Sequence, residues 1–253
     1  MTSRRGSRGP RSTGGRKLAV VTGGSRGLGA VIARLLAGEQ YDLVLVAREP
    51  GPLAAVSLEL RGLGATVSEV AGDLVEEATR ARVFEAVGTS SGLDLLVNNA
   101  SELGPSPLRP LESVPLEALE SVYRVNVVAP LGLVQGLLPA LRRRRGLVVN
   151  ISSDAAVGGY PGWGAYGASK AALDLVSRTL AHELEDAGVG VVAVDPGDMR
   201  TRMHQAAYVG QDISDRPLPD VTMPFWAWLF GRPIAEVTGQ RFQAQSDHWG
   251  SRP

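Results

Sequence analysis

The sequence predicts an α/β protein, a single doubly wound parallel sheet of about seven strands with helices on both faces. Three observations lead there. Short apolar runs alternate with longer segments of helical period along nearly the whole chain. The first run, 17–22, opens into a glycine-rich loop, TGGSRGLG, that leads straight into a helical segment. The length, 253 residues, suffices for one large core, so 17–253 reads as a single domain.

Strand-like runs fall at 17–22, 42–47, 65–71, 93–98, 146–152 and 189–195, with a last short one at 240–245. Each is too short for a helix and is rich in Val, Leu and Ile, as expected of strands buried on both faces. Between them lie segments of helical period at 28–37, 53–61, 76–87, 116–141 and 165–187. In the first of these, Leu28, Val31, Ile32 and Leu35 recur at the spacing of one helix face. Strands alternating with helices imply right-handed crossovers and a parallel sheet. Ligands of such sheets bind beyond the carboxyl ends of the strands.

Composition narrows the function classes. Lys plus Arg and Asp plus Glu balance at 26 each, so net charge offers no reason to expect nucleic acid as a partner. The chain has no cysteine, and His182, His204 and His248 lack metal-ligand spacing, so no metal is expected. Residues 1–16 hold Arg4, Arg5, Arg8, Arg11 and Arg16 among Gly, Ser, Thr and Pro without an acid. That segment reads as a disordered basic tail rather than a transit peptide or secretory signal, because it has no apolar face or core. The longest apolar stretch, 127–141, is shorter than a membrane span and contains Gly132, Gln135, Gly136 and Pro139. No membrane is expected, and a cytoplasmic location is. The run Arg142, Arg143, Arg144 and Arg145 suits a helix C-terminus and a solvated face.

The chemistry-bearing residues start with the loop. Gly23, Gly24, Gly27 and Gly29 let the backbone turn sharply and approach a pyrophosphate at a helix N-terminus, where free N–H groups favour an anion. The spacing is Thr-Gly-x-x-x-Gly-x-Gly, not the commoner G-x-G-x-x-G. Tyr166 and Lys170 stand four residues apart, on one face of a helix, thirteen residues after Ser153. A phenol has a pKa near 10, and lowering it to 7 takes roughly 4 kcal/mol of preferential stabilisation. A neighbouring ammonium, together with a cationic cofactor ring, would supply this. Ser152 competes with Ser153, and Tyr160 with Tyr166; the thirteen-residue spacing favours Ser153, and Gly164 stands where Tyr160 would need its lysine.

Together these motifs resemble the short-chain dehydrogenase/reductase family, whose members have a Rossmann fold. The resemblance rests on TGGSRGLG, Asp73 in GDL, Asn98-Asn99-Ala100, Asn126 in VNVVAP, Ser153 in NISS, YGASK and Pro196-Gly197 in DPGDMRT, from about residue 17 to residue 201. It implies hydride transfer between a nicotinamide cofactor and a carbonyl or alcohol. Tyr166 would be the general acid/base. Lys170 would hold the ribose hydroxyls and depress the phenol's pKa, and Ser153 would hydrogen-bond the substrate oxygen. Asn126 would anchor a water relaying protons to Lys170. Cofactor contacts would come from Gly23, Ser25, Arg26, Gly27, Leu28 and Gly29 in the loop, from Asp73 and Leu74 at the adenine, and from Asn99 and Ala100 at the ribose. Pro196, Gly197, Met199 and Thr201 would hold the carboxamide end. Ser101 departs from the family's usual glycine and narrows the loop there.

At the end of the second strand, Ala47 takes the place of the acid usual in NAD-dependent members, and Arg48 follows it. With Arg26, two guanidinium groups would converge on the ribose with no carboxylate to repel a 2′-phosphate, so NADP(H) is expected over NAD(H). The segment 198–235 would form the substrate lid. Its run Phe225-Trp226-Ala227-Trp228-Leu229-Phe230 either covers an apolar substrate or packs in the core or at a subunit contact, the latter being preferred. Asp154 and His204 are polar candidates near the pocket. Helix pairing in relatives implies a homodimer or homotetramer. The leading expectation is an NADPH-dependent reductase of ketones or aldehydes. The alternatives are an NADP-linked alcohol dehydrogenase and a catalytically silent NADP(H)-binding regulatory protein.

Overall fold

The computed structural model describes residues 16–88 and 90–250. Its organising element is a sheet of β1 (Lys17–Thr22), β2 (Tyr41–Ala47), β3 (Val67–Ala71), β4 (Leu95–Asn98), β5 (Leu147–Ile151), β6 (Gly190–Asp195) and β7 (Arg241–Gln243). The order across the sheet is β3-β2-β1-β4-β5-β6-β7, and every neighbouring pair is parallel. The direction of winding reverses between β1 and β4, which opens a crevice beyond their carboxyl ends.

Strands β1 to β6 each feed two cores because successive side chains point to opposite faces. In β2, Leu43, Leu45 and Ala47 enter one core while Val44 and Val46 enter the other. The first core is closed by α1 (Gly27–Gly38), α2 (Pro50–Gly62) and α9 (Met223–Phe230), through Ile32, Leu36, Leu53, Leu60 and Trp226. The second lies under α3 (Glu77–Gly88), α5 (Ala129–Arg144) and α7 (Gly164–Glu183), through Val83, Leu133, Leu137 and Ala181. Short helices α4 (Leu116–Tyr123), α6 (Ala155–Gly158), α8 (Arg202–Ala207) and α10 (Ile234–Val237) complete the chain.

The expected helix 116–141 is interrupted. Between α4 and α5 the segment Arg124–Val128 widens into a π-turn. Pro130 has no N–H to donate to the carbonyl of Asn126, four residues back, so an α-pattern cannot close there. By length and composition the stretch Leu116–Arg144 could cross a membrane. Here the inner face of α5, including Leu133, Leu137 and Leu141, is part of the second core.

Polar residues within the sheet are paired across elements. Asn98 donates to Asn150 at 2.8 Å, and Asn150 donates to Ser177 of α7 at 2.8 Å. This ladder ties β4, β5 and α7 together just below the strand ends. Residues 1–15 of the basic segment lie outside the described residues. Arg16, at its border, pairs with Asp42 at 2.7 Å.

Candidate active site

The glycine loop is built by its neighbours as much as by its own residues. Gly23 and Gly27 have φ of +64° and +53°, a region that favours glycine. A Cβ at Gly29 would lie 2.3 Å from the Gly23 carbonyl oxygen, so only glycine allows α1 to start so close to the strand. The Thr22 hydroxyl accepts from the backbone N–H groups of Asn99 and Ala100 at 2.9 and 3.0 Å and donates to Val97 O at 3.2 Å. Asn99 Nδ2 donates to Thr22 O at 2.8 Å. Its amide therefore stitches the loop to the end of β4, leaving other atoms of the segment to face a ribose. No side chain caps the N-terminus of α1, so its first N–H groups are available to an anion.

Loop and strand ends enclose a cavity of about 1050 Å³. Its wall includes Gly23, Ser25, Arg26, Gly27, Leu28, Arg48, Asp73, Leu74, Asn99, Ala100, Ser153, Tyr166, Lys170, Pro196, Gly197, Met199 and Thr201. Of the expected site residues, Gly29 and Asn126 are not in the wall. Gly29 packs beneath the loop, and Asn126 lies behind it. A cradle that a Cβ would fill, uncapped helix N–H groups and a cavity that reaches both the glycine loop and Tyr166 together fit an extended dinucleotide.

At the inner end, Ser153 follows β5 and Tyr166 and Lys170 project from the first turns of α7. The hydroxyls of Ser101 and Ser153 lie close enough to the Tyr166 phenol to lower its pKa. Ser153 donates its proton to Asp154 at 3.0 Å, and Ser101 donates to Asn126 at 3.0 Å. Burial pushes the phenol's pKa up to about 12, outweighing the serine hydroxyls that lower it. Lys170, 2% exposed, donates to Ile151 O at 2.7 Å, and burial brings its pKa down to about 8 against the raising effect of Asp174. The expected depression of the phenol's pKa by Lys170 is thus not supplied by the chain itself. The ammonium lies 5.5 Å from the Tyr166 ring centroid, and desolvation dominates both groups.

The side chain of Asn126 is fully engaged. Its Nδ2 donates to Glu102 O and to Ser169 Oγ, both at 2.9 Å, while its Oδ1 accepts from Ser101 Oγ at 3.0 Å and Glu102 N at 2.8 Å. All four amide positions are filled, so a relay water would have to use the Asn126 backbone carbonyl. Of the competitors, Ser152 is buried with its hydroxyl unpartnered, and Tyr160 sits 46% exposed in the cavity wall, where Asp154 raises its pKa.

The adenosine end corrects the expectation that no carboxylate stands there. Glu49 holds Arg26 in a bidentate pair at 2.9 and 2.8 Å and also reaches Arg202 at 3.3 Å. Arg48 leans towards Glu102, 3.6 Å away. Glu49 immediately follows Arg48 in sequence, but only the fold brings it onto the guanidinium of the glycine loop.

On the substrate side, Tyr166 packs with Leu103 and Ala155, flanked by Leu108, Trp163, Met203 and Ala206. Trp163 meets Tyr166 edge-on at 5.7 Å and Tyr208 at 6.3 Å; His204 lies 4.9 Å from Tyr208. Asp154 and His204 both line the cavity. The aromatic run does not: Phe225 and Trp226 are fully buried in the first core, with Trp226 Nε1 donating to Thr222 at 2.8 Å. Ser101, Glu49, Trp163, Tyr208 and Arg202 were not singled out as functional from sequence. Of these only Ser101 carried a signal, as the departure from the usual glycine.

Comparison with known proteins agrees with this geometry. The family profile of short chain dehydrogenases matches residues 17–211. A rhamnolipids biosynthesis 3-oxoacyl-[acyl-carrier-protein] reductase of Pseudomonas aeruginosa is 36% identical over 225 residues, covering 86% of this chain and 84% of that protein. Serine 3-dehydrogenase of Rhizobium radiobacter is 34% identical over 199 residues, covering 78% of each chain. Among solved structures, a Shigella flexneri 2a short chain dehydrogenase complexed with NADP superposes with a TM-score of 0.85 at 28% identity, covering 92% of this chain and 98% of that one. An Escherichia coli CFT073 short chain dehydrogenase complexed with NADPH gives 0.84 at 29% identity, covering 92% and 98%. With the family profile spanning most of the chain and the seven-stranded parallel sheet superposing on short chain dehydrogenase structures, the chain belongs to the short chain dehydrogenase family of oxidoreductases.

Proposed function

We propose that this protein is an NADPH-dependent reductase that converts a ketone or aldehyde to an alcohol. One observation carries the reading: a buried phenol, Tyr166, lines a cavity of dinucleotide size together with Ser153, and Lys170 stands one helical turn away with its ammonium 5.5 Å from the ring centroid. Bound cofactor would supply hydride from the nicotinamide C4 to the carbonyl carbon. Tyr166 would donate its proton to the carbonyl oxygen; burial keeps it protonated at neutral pH, and the Lys170 ammonium would offset part of the weaker acidity that burial brings. Ser153 would turn its hydroxyl from Asp154 towards the same oxygen and stabilise charge developing there. Lys170, anchored on Ile151 O, would reach the ribose hydroxyls and replenish the phenol's proton. Asn126 would position this group by holding Ser101 and Ser169 in place.

For the cofactor, Arg26 and Arg48 at the adenosine end support a 2′-phosphate, as do the NADP and NADPH complexes of two structural relatives. Leu103, Trp163, Met203 and Tyr208 favour a substrate with an apolar or cyclic body. The unit 17–253 with its lid at 198–235, homo-oligomer formation and a cytoplasmic setting belong to the same proposal. The test is NADPH or NADH oxidation at 340 nm against a panel of ketones, aldehydes and quinones. Turnover with NADPH at a lower Michaelis constant than with NADH is expected. A Michaelis constant for NADH equal to or below that for NADPH would overturn the cofactor assignment. Cofactor binding without turnover on any carbonyl would favour a regulatory protein.

A further inference from the structure

Two arginines from opposite sides of the cavity mouth share one carboxylate. Arg26 comes from the glycine loop and meets Glu49 through both guanidinium nitrogens, at 2.9 and 2.8 Å. Arg202, the first residue of α8, meets the same carboxylate at 3.3 Å. Arg26 holds the Glu49 carboxyl below its usual pKa, with Arg202 and Arg48 adding to the effect, so the bridge is ionised at neutral pH. A forked carboxylate on a guanidinium presents the same two-oxygen face as a phosphate. All three side chains are partly open to solvent, with Arg202 76% exposed, and such pairs are weak enough to exchange. The start of α8 also abuts the loop: a Cβ on Gly27 would sit 3.7 Å from the Thr201 methyl.

We propose that Glu49 is a built-in stand-in for the cofactor's 2′-phosphate. The phosphate displaces it and takes over both Arg26 and Arg202. This rests on the NADP(H) reading and deepens it in two ways. It adds Arg202, from the lid, to the specificity-determining residues. It also couples the adenosine end to the substrate end, because α8 carries Met203 and His204, which line the cavity beside Tyr166. A 2′-phosphorylated nucleotide would hold α8 through Arg202. A nucleotide with a free 2′-hydroxyl would leave Arg202 on Glu49. The competing role for Glu49 is that of a ribose ligand, accepting hydrogen bonds from that hydroxyl, which would favour NAD(H).

The experiment is calorimetric titration of the full chain with 2′-AMP and with 5′-AMP at low salt, for wild type, Glu49→Gln and Arg202→Ala. Wild type is expected to prefer 2′-AMP. Glu49→Gln should tighten 2′-AMP by about three- to tenfold and Arg202→Ala should weaken it by a similar factor, with 5′-AMP unchanged in both. Amide exchange in α8 should slow on adding 2′-AMP to wild type but not to Arg202→Ala. If wild type prefers 2′-AMP and neither variant shifts it, the stand-in role fails while the NADP(H) reading stands. If Glu49→Gln loses 5′-AMP affinity without gaining for 2′-AMP, Glu49 is a ribose ligand and the proposal is wrong. No preference in wild type would sink both.

Discussion

Tyr166 and Lys170 are buried together, and burial moves their proton affinities in opposite directions. Desolvation disfavours whichever form carries charge, so the phenol holds its proton up to about 12 and the ammonium releases its own from about 8. Tyr166→Phe removes the hydroxyl proposed to protonate the substrate oxygen. Turnover should fall at least about a hundredfold with NADPH affinity retained, measured by single-turnover kinetics and cofactor fluorescence. Persisting turnover would refute the role. The lysine leads to a stability prediction. Its folded pKa lies below the ordinary lysine value of 10.5, so below about pH 8 the buried charge is a full penalty, relieved as pH rises from 8 to 10.5. Lys170→Met should therefore lose activity yet gain about 1–3 kcal/mol of stability at pH 7, less whatever the unpaired Ile151 carbonyl costs. That gain should shrink towards pH 10 in urea unfolding; an equal gain at both pH values would show that the lysine is not held against its charge. The tyrosine has the opposite sign: its contribution is complete below pH 10 and is lost between 10 and 12.

At the scale of elements, the loop and the helices around it differ in what they tolerate. Gly29→Ala drives a Cβ against the Gly23 carbonyl and the Asn99 amide, at 2.3 and 2.6 Å, and backbone must shift. The expected cost is about 1–3 kcal/mol, with NADPH affinity falling by at least about tenfold because the shift deforms the anion cradle. Circular dichroism and cofactor titration would check this, and unchanged affinity would mean the loop does not cradle the nucleotide. Helix α9 presents the contrary case. Trp226 is fully buried and far from the cavity wall, so Trp226→Ala should cost about 3–5 kcal/mol while leaving the Michaelis constants of the folded fraction unchanged. A changed substrate constant would return the aromatic run to the substrate pocket. The π-turn at Arg124–Val128 could not be read from hydrophobic period, since α4 and α5 share one apolar stripe through it. Pro130 was visible in sequence, but its consequence depends on Asn126 finding four partners elsewhere in the fold.

For the whole molecule, the described surface leaves apolar residues exposed on the helices beside the site. Leu116 of α4 is 71% exposed, Val128 in the π-turn 59% and Leu175 of α7 62%. Helix pairing through these faces is the proposed subunit contact. Sedimentation velocity at micromolar concentration should show a dimer or tetramer, and Leu175→Glu should shift it towards monomer. A monomeric wild type would reject the assembly.

What the sequence determined by itself was the alternation of strands and helices, their order and the positions of Tyr166, Lys170, Ser153 and the glycine loop. These are local properties, set by side-chain period and by spacing along one helix or one turn. The boundaries of β3 and β4 and the break in the long helix were less legible, because hydrogen-bond pairing rather than composition ends an element. The tertiary structure alone decided what each group meets. It set Glu49 across Arg26 and Arg202, carriers separated by 23 and 153 residues of chain. It brought Ser101 to Tyr166, filled the amide of Asn126 and sank the aromatic run into the core. It also decided that burial raises the phenol's pKa in the chain alone, for burial is a property of the packed molecule, and no spacing of residues along a chain reports how much water the fold will exclude.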